Sequence, residues 1–158
     1  MAILNYTTSV PAVTSISQIT GILVRKSARS ITTEFADDGS IEAVAFIMAV
    51  GGIPVRFILP ANVDGVAAVM LRDNPWNRYR QTSKPEYEAK VRAQAFNVAW
   101  RIVKDWVEAQ MALVESGQAV PAQVFMPYAT QQDGKTTMWQ MYLESNEQRA
   151  LCAPKENQ

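Results

Sequence analysis

The chain contains no histidine. That removes the commonest general base and the commonest metal ligand. The only cysteine is Cys152, which excludes an internal disulfide and any cysteine-rich metal centre and fits a reducing cytoplasm. There is no excess of charge of either sign: 15 basic residues face 15 acidic ones, so no global field draws the protein to nucleic acid. No uninterrupted apolar run is long enough to span a membrane, and the N-terminus lacks a basic region followed by an apolar stretch. Membrane insertion and a signal peptide are therefore not expected, and the expected compartment is the cytoplasm. The glycine-rich phosphate loops, the nucleophile elbow and the zinc-protease helix are also missing. Asp133-Gly134-Lys135-Thr136 ends like a phosphate loop but has no earlier glycine at the required spacing, so it reads as a turn. No cofactor and no metal site is expected, and no catalytic residue can be named.

What is present describes a soluble globular chain of one domain, with 48% hydrophobic and 19% charged residues. It is dominated by the stretch from Pro85 to Gly117. Ser83 and Glu86 have the spacing of a capping box, Pro85 suits a first helical turn, and Gly117 suits a left-handed stop. The predicted helix is a rod of roughly 50 Å. At 100° per residue, Lys90, Gln94, Asn97, Arg101, Lys104, Asp105, Glu108 and Glu115 fall on one narrow polar face. Ala95, Val98, Ala99, Ile102, Trp106, Ala109 and Leu113 form an apolar face, and Phe96, Trp100, Val103, Val107, Met111 and Val114 lie beside it. This apolar arc is about twice the ~100° of an ordinary surface helix and needs cover on two sides. A sheet supplies one side. A terminal segment, a second helix or another subunit supplies the other. Phe96, Trp100, Val103, Val107, Met111 and Val114 are the candidate interface of a homo-oligomer, a dimer being favoured because two-fold pairing is the commonest assembly.

The remaining elements follow from spacing and turn chemistry. Residues 1–12 read as an extended arm or an edge strand. A first helix is predicted over 15–28, with Ser15 and Gln18 as a capping box. Ser30–Phe35, Ile41–Val50 and Ile53–Leu59 read as three strands of an antiparallel meander, with Gly51-Gly52 as a two-residue hairpin turn and the middle strand covered on both faces. Asn62-Val63-Asp64 caps a short helix over Gly65–Arg72. Val124–Thr130 reads as extended, with Pro127 at an edge or bend. Thr137 caps a last helix, Met138–Glu144, whose Met138, Trp139, Tyr142 and Leu143 would dock as a lid; residues 145–158 read as a flexible tail. The fold class is α+β: an antiparallel sheet of three or four strands against one long helix, with short flanking helices.

Candidate binding residues are cationic and aromatic. The loop before the long helix carries Trp76, Arg78, Tyr79 and Arg80, types that stack on bases and neutralise phosphates. The same residues serve equally well to pin a loop. Arg56 interrupts an apolar strand, and Arg92 interrupts the apolar arc of the helix. Together these six form the candidate ligand site. Asp37, Asp38 and Asp73 are turn carboxylates with a possible acid–base or metal role.

Three stretches carry a resemblance. They are Gly52-Ile53-Pro54-Val55-Arg56-Phe57-Ile58-Leu59-Pro60; the helix from Ala99 through Leu113-Val114-Glu115-Ser116-Gly117; and Phe125-Met126-Pro127-Tyr128 followed by Asp133-Gly134-Lys135-Thr136 and Trp139. In that order they resemble a group of small uncharacterised proteins of phages and prophages, which share a VRFxLP strand, a long helix ending in Ser-Gly and a DGRT-type turn. The similarity spans roughly residues 41–144. Trp100 and Trp106 depart from the group, as does a longer stretch before the turn. The resemblance implies a non-enzymatic accessory protein acting in the host cytoplasm by binding. Its target would be nucleic acid or a nucleotide, in phage DNA metabolism or counter-defence. The alternative is a protein partner, such as a host defence complex or an assembly. A metal-dependent nucleotide hydrolase is a third reading.

Overall fold

The computed structural model describes residues 2–145. Cys152 and the tail expected over 145–158 lie outside the described residues, apart from Ser145. The order is α1 (Ala12–Arg25), β1 (Ser30–Phe35), β2 (Ile41–Val50), β3 (Ile53–Pro60), α2 (Val63–Asp73), α3 (Lys84–Glu115), α4 (Pro121–Phe125), a 3₁₀ turn (Met126–Tyr128) and α5 (Met138–Glu144). The strands form one antiparallel sheet in the order β1-β2-β3, so the fold is α+β. Gly51 and Gly52 both take positive φ, +57° and +83°. That is the turn whose twist matches the paired strands.

α3 is the long helix. Ser83 Oγ accepts from the Glu86 N–H at 3.4 Å, but the Glu86 carboxylate pairs forward with Lys90. Only half of the expected capping box forms. The helix stops in a full Schellman arrangement: Gly117 has φ +74°, its N–H donates to the Val114 carbonyl, and the Gln118 N–H donates to the Leu113 carbonyl.

The chain itself covers the wide apolar arc of α3. Trp100, Val107 and Met111 are buried in a core shared with α1, the sheet and Phe125, and Phe96 and Val103 pack partly buried against it. Val114 is half-buried. A second core joins Val91, Ala95, Val98 and Ala99 of α3 to Val66, Ala67 and Met70 of α2. The residues expected at a subunit contact are thus mostly consumed inside one chain.

The polar stripe of α3 also differs from expectation. The N-terminal arm is neither free nor a strand; it is latched onto that stripe. Gln94 Nε2 donates to the carbonyls of Tyr6 and Thr8, at 3.1 and 2.9 Å, and Asn5 Nδ2 donates to Asp105 at 2.8 Å. Asn97 Oδ1 accepts from the Ala12 N–H at 2.9 Å. That last bond supplies from α3 a cap that α1 lacks in its own sequence. It explains why α1 begins at Ala12 behind Pro11 and not at Ser15. Ser15 lies one turn inside, fully buried, with its hydroxyl unpartnered. Lys104 is 8% exposed, its ammonium held by Glu108 at 2.5 Å and Asp105 at 3.4 Å.

β2 packs one face on the helices through Val44, Phe46 and Met48. Its other face carries Ala43, Ala45, Ile47 and Ala49. Ala43 and Ala45 are buried there as Val44 and Phe46 are on the helix side, so both faces are covered in the middle of the strand, while Ala49 is exposed. Val124–Thr130 is not extended as a whole: Pro121 starts a short helix and Met126–Tyr128 continues as a 3₁₀ turn. Among the described residues one isolated bridge, Phe57 with Ala129, joins this segment to the sheet, and a second, Thr130 with Thr137, closes the turn that follows.

Candidate functional site

Half of the exposed large apolar side chains among the described residues lie after α3: Val120, Met126, Met138, Trp139, Met141 and Leu143. An aromatic series positions this last part of the chain. Phe46 stacks on Phe57 at 5.2 Å between centroids, both meet Phe125, and Phe125 and Tyr128 each pack edge-on to Trp106. Phe125 is fully buried. It anchors α4 and the 3₁₀ turn to the edge of the sheet. Main-chain bonds extend the anchorage: the Thr130 N–H donates to the Arg56 carbonyl at 2.8 Å, and the Met138 N–H to the Ala129 carbonyl at 2.8 Å.

The turn 131–136 then folds over the open face of the sheet. Arg56 lies beneath it, donating to the Gly134 carbonyl and to the Glu34 carboxylate, each at 2.5 Å. A cleft of 690 Å³ opens around this pair, lined among others by Phe35, Glu42, Ile58, Asp133 and Lys135. It carries two cations, Arg56 and Lys135, and three carboxylates, Glu34, Glu42 and Asp133. A site with that balance does not favour an anion. The Asp133 carboxyl is held below its ordinary value of 3.8 by the Thr136 hydroxyl first, then by the N–H groups of Lys135 and Thr136. Because the folded value is depressed, its contribution is complete above the ordinary value and fades as pH falls through the lower folded value. Protection of the Thr136 amide, measured against its intrinsic exchange rate at the same pH, is expected to fall in that acid range, and Asp133→Asn to abolish the dependence.

α5 follows with a complete capping box: Thr137 Oγ1 accepts from the Gln140 N–H, and Gln140 Oε1 accepts from the Thr137 N–H. The helix was expected to dock as a lid. It does not bury its apolar side chains. Trp139 is 52% exposed, Met138 40% and Met141 37%, and none of the residues of α5 is buried. Met126 of the 3₁₀ turn is exposed beside them. Trp139 stacks on Tyr142 at 5.7 Å. A cleft of 400 Å³ runs between Gln123, Met126, Pro127, Met138, Trp139 and Tyr142, with no charged residue in its lining. A second cleft of 500 Å³ shares Pro127 and Trp139 with it, and shares Ile58, Pro60 and Lys135 with the cleft around Arg56. The three therefore form one continuous groove, charged at the sheet and apolar at α5.

The six residues expected to form a ligand site do not converge on this groove. Arg56 alone lines it. Arg92 stands in the open and pairs with Asp64 of α2. Trp76 pins its loop by donating to the Thr82 carbonyl at 3.0 Å. Arg80 lies over the Tyr87 ring at 4.2 Å and donates to Asn74 at 2.7 Å. Arg78 lies over the ring of Tyr79 at 5.2 Å and donates to its hydroxyl at 3.1 Å. Tyr79 remains 82% exposed. Two of the three turn carboxylates are also occupied: the Asp38 carboxyl accepts from the Ser40 hydroxyl and N–H, which hold it below its ordinary value, and Asp73 pairs with Arg72. Among the described residues no three potential metal ligands cluster, and no helix is long and apolar enough to cross a membrane. Met126 and Met141 were not singled out from the sequence. The signal that could have found them is three methionines around Trp139 on short helices, too many apolar residues for segments too short to bury them. Comparison with protein-family models, with curated proteins and with solved structures gave no match.

Proposed function

We propose that this is a non-enzymatic, phage-encoded accessory protein of the host cytoplasm that works by binding another protein through α5 and the 3₁₀ turn. The observation that carries this reading is the uncharged groove at Met126, Met138 and Trp139, with Met141 exposed beside it. A half-exposed tryptophan flanked by methionines has the anatomy of an interface anchor. Tryptophan is enriched among hot spots, and methionine adapts its shape to a partner. A host defence complex or an assembly intermediate fits that chemistry.

The test is capture from host lysate with wild-type protein and with Trp139→Ala. A specific partner retained in high salt, with its affinity lowered about 30-fold or more by Trp139→Ala, is the expected result. The unfolding midpoint of the variant should change little, because the side chain is half in water. Equal capture by both proteins overturns the reading.

A second reading, binding of a nucleotide or single-stranded nucleic acid, is favoured by one observation: Tyr79 is exposed with a guanidinium already beside its ring. It predicts a raised 260/280 nm absorbance ratio on purification and binding that weakens steeply with salt. Loss of binding in Arg78→Ala and Tyr79→Ala, with Trp139→Ala inert, would decide for it. Metal-dependent turnover lost in Asp38→Ala would decide for a hydrolase.

A further inference from the structure

The sheet has two edges, and the chain treats them differently. The phase of the ladders is set by the Ala61 N–H donating to the Glu42 carbonyl and the Arg29 N–H donating to the Ile47 carbonyl. Bonds alternate along β2, so Val44, Phe46 and Met48 serve β3 and Ala43, Ala45 and Ile47 serve β1. On β3 the outward groups are those of Pro54, Arg56 and Ile58. Pro54 has no N–H to offer, Pro60 ends the strand, and the Arg56 carbonyl is taken by Thr130. That edge is closed by the chain's own residues.

On β1 the outward groups are those of Ile31 and Thr33, with Phe35 at the irregularity that ends the ladder. No hydrogen bond from the described residues reaches them. The strand has no proline and no lysine, and no segment among the described residues covers it; its only edge protections are the irregularity at Glu34/Phe35 and the Glu34 carboxylate. Its one charge, Glu34, is bound to Arg56 across the open face of the sheet. Phe35 is 63% exposed beside it.

We propose that β1 pairs antiparallel with β1 of a second copy, about a two-fold axis through Thr33. In that register Thr33 faces the partner's Thr33, and Ile31 faces the partner's Phe35. Thr32 faces the partner's Glu34. Residues that face each other share a side of the sheet, so both helix layers stay on one side of a continuous six-stranded sheet. Ile31 and Phe35 cover each other, and each Glu34 keeps its own Arg56, so no unpaired like charges meet. Because the β3 edge is blocked, pairing stops at two chains and no filament grows.

Light scattering after size exclusion, over micromolar to sub-millimolar full-length protein, reads the assembly. Two chains are expected for the wild type. Thr33→Pro removes an N–H that the ladder to β2 does not use, and Thr33→Lys places two like charges on the axis; both should run as one chain with an unchanged circular dichroism spectrum. Opposed residues of a bonded antiparallel pair have Cα atoms about 5.5 Å apart, within disulfide range. Thr33→Cys in a Cys152→Ser background should therefore oxidise to a covalent dimer. That variant keeps the proposal testable if proline disturbs the strand. A wild-type monomer throughout the range overturns the proposal, as does a dimer that survives Thr33→Lys and forms no disulfide in Thr33→Cys.

Discussion

Phe125→Ala is expected to lower the unfolding free energy by about 3–5 kcal/mol, the usual range for removing a buried aromatic side chain. Urea denaturation followed by tryptophan fluorescence measures it. The residue is fully buried and its ring meets Phe46, Phe57 and Trp106 at centroid distances of 5.3, 6.0 and 5.6 Å. Offset and edge-on ring pairs contribute beyond their buried area. The loss is local as well as global. Phe125 is the one buried side chain of α4, and the 3₁₀ turn and α5 that follow contain none. Limited proteolysis should therefore cut first between residues 121 and 145 in the variant. A drop under 1 kcal/mol with no new cleavage would mean that the last third of the chain is held by its main-chain bonds and not by the aromatic series.

Trp100→Ala should cost a similar ~3–5 kcal/mol, while Trp100→Phe should cost far less. Among the described residues Trp100 is the largest fully buried side chain, and its indole N–H finds no partner there. Phenylalanine keeps most of the packing and deletes a buried donor that was already unsatisfied, so no hydrogen bond is lost. The pair of variants also separates two roles for this face of α3. If Trp100 packs within one chain, Trp100→Ala changes stability at every protein concentration alike. If it lay between subunits, the difference between variant and wild type would itself change with concentration, and the variant would become monomeric without unfolding. Concentration-independent loss of stability is the expected outcome. That outcome is the one required by the proposed pairing of two chains through β1 and not through α3.

What the sequence determined by itself was local. The three strands and the glycine turn between the second and third follow from alternation and from two residues that tolerate positive φ. The extent of α3 follows from Ser83 and Gly117, whose chemistry acts within one turn of themselves. The caps at Asn62 and Thr137 are of the same kind. In each case the partner lies a few residues away, so spacing is enough.

The features that spacing could not set depend on partners far along the chain. α1 starts at Ala12 because Asn97, 85 residues away, accepts its N–H. The stripe Gln94, Asn97 and Asp105 looks like a water-facing surface in projection, yet it holds the arm, since the same amides and carboxylates that hydrate well also bond a backbone. The apolar arc of α3 was legible as something to be covered. Which body covers it was not, because hydrophobic burial has no direction and accepts a helix of the same chain as readily as a second subunit. The candidate groove at Trp139 arises for the opposite reason. α5 has only seven residues, its capping box holds it helical, and no element among the described residues buries Met138, Trp139 or Met141, which stay exposed.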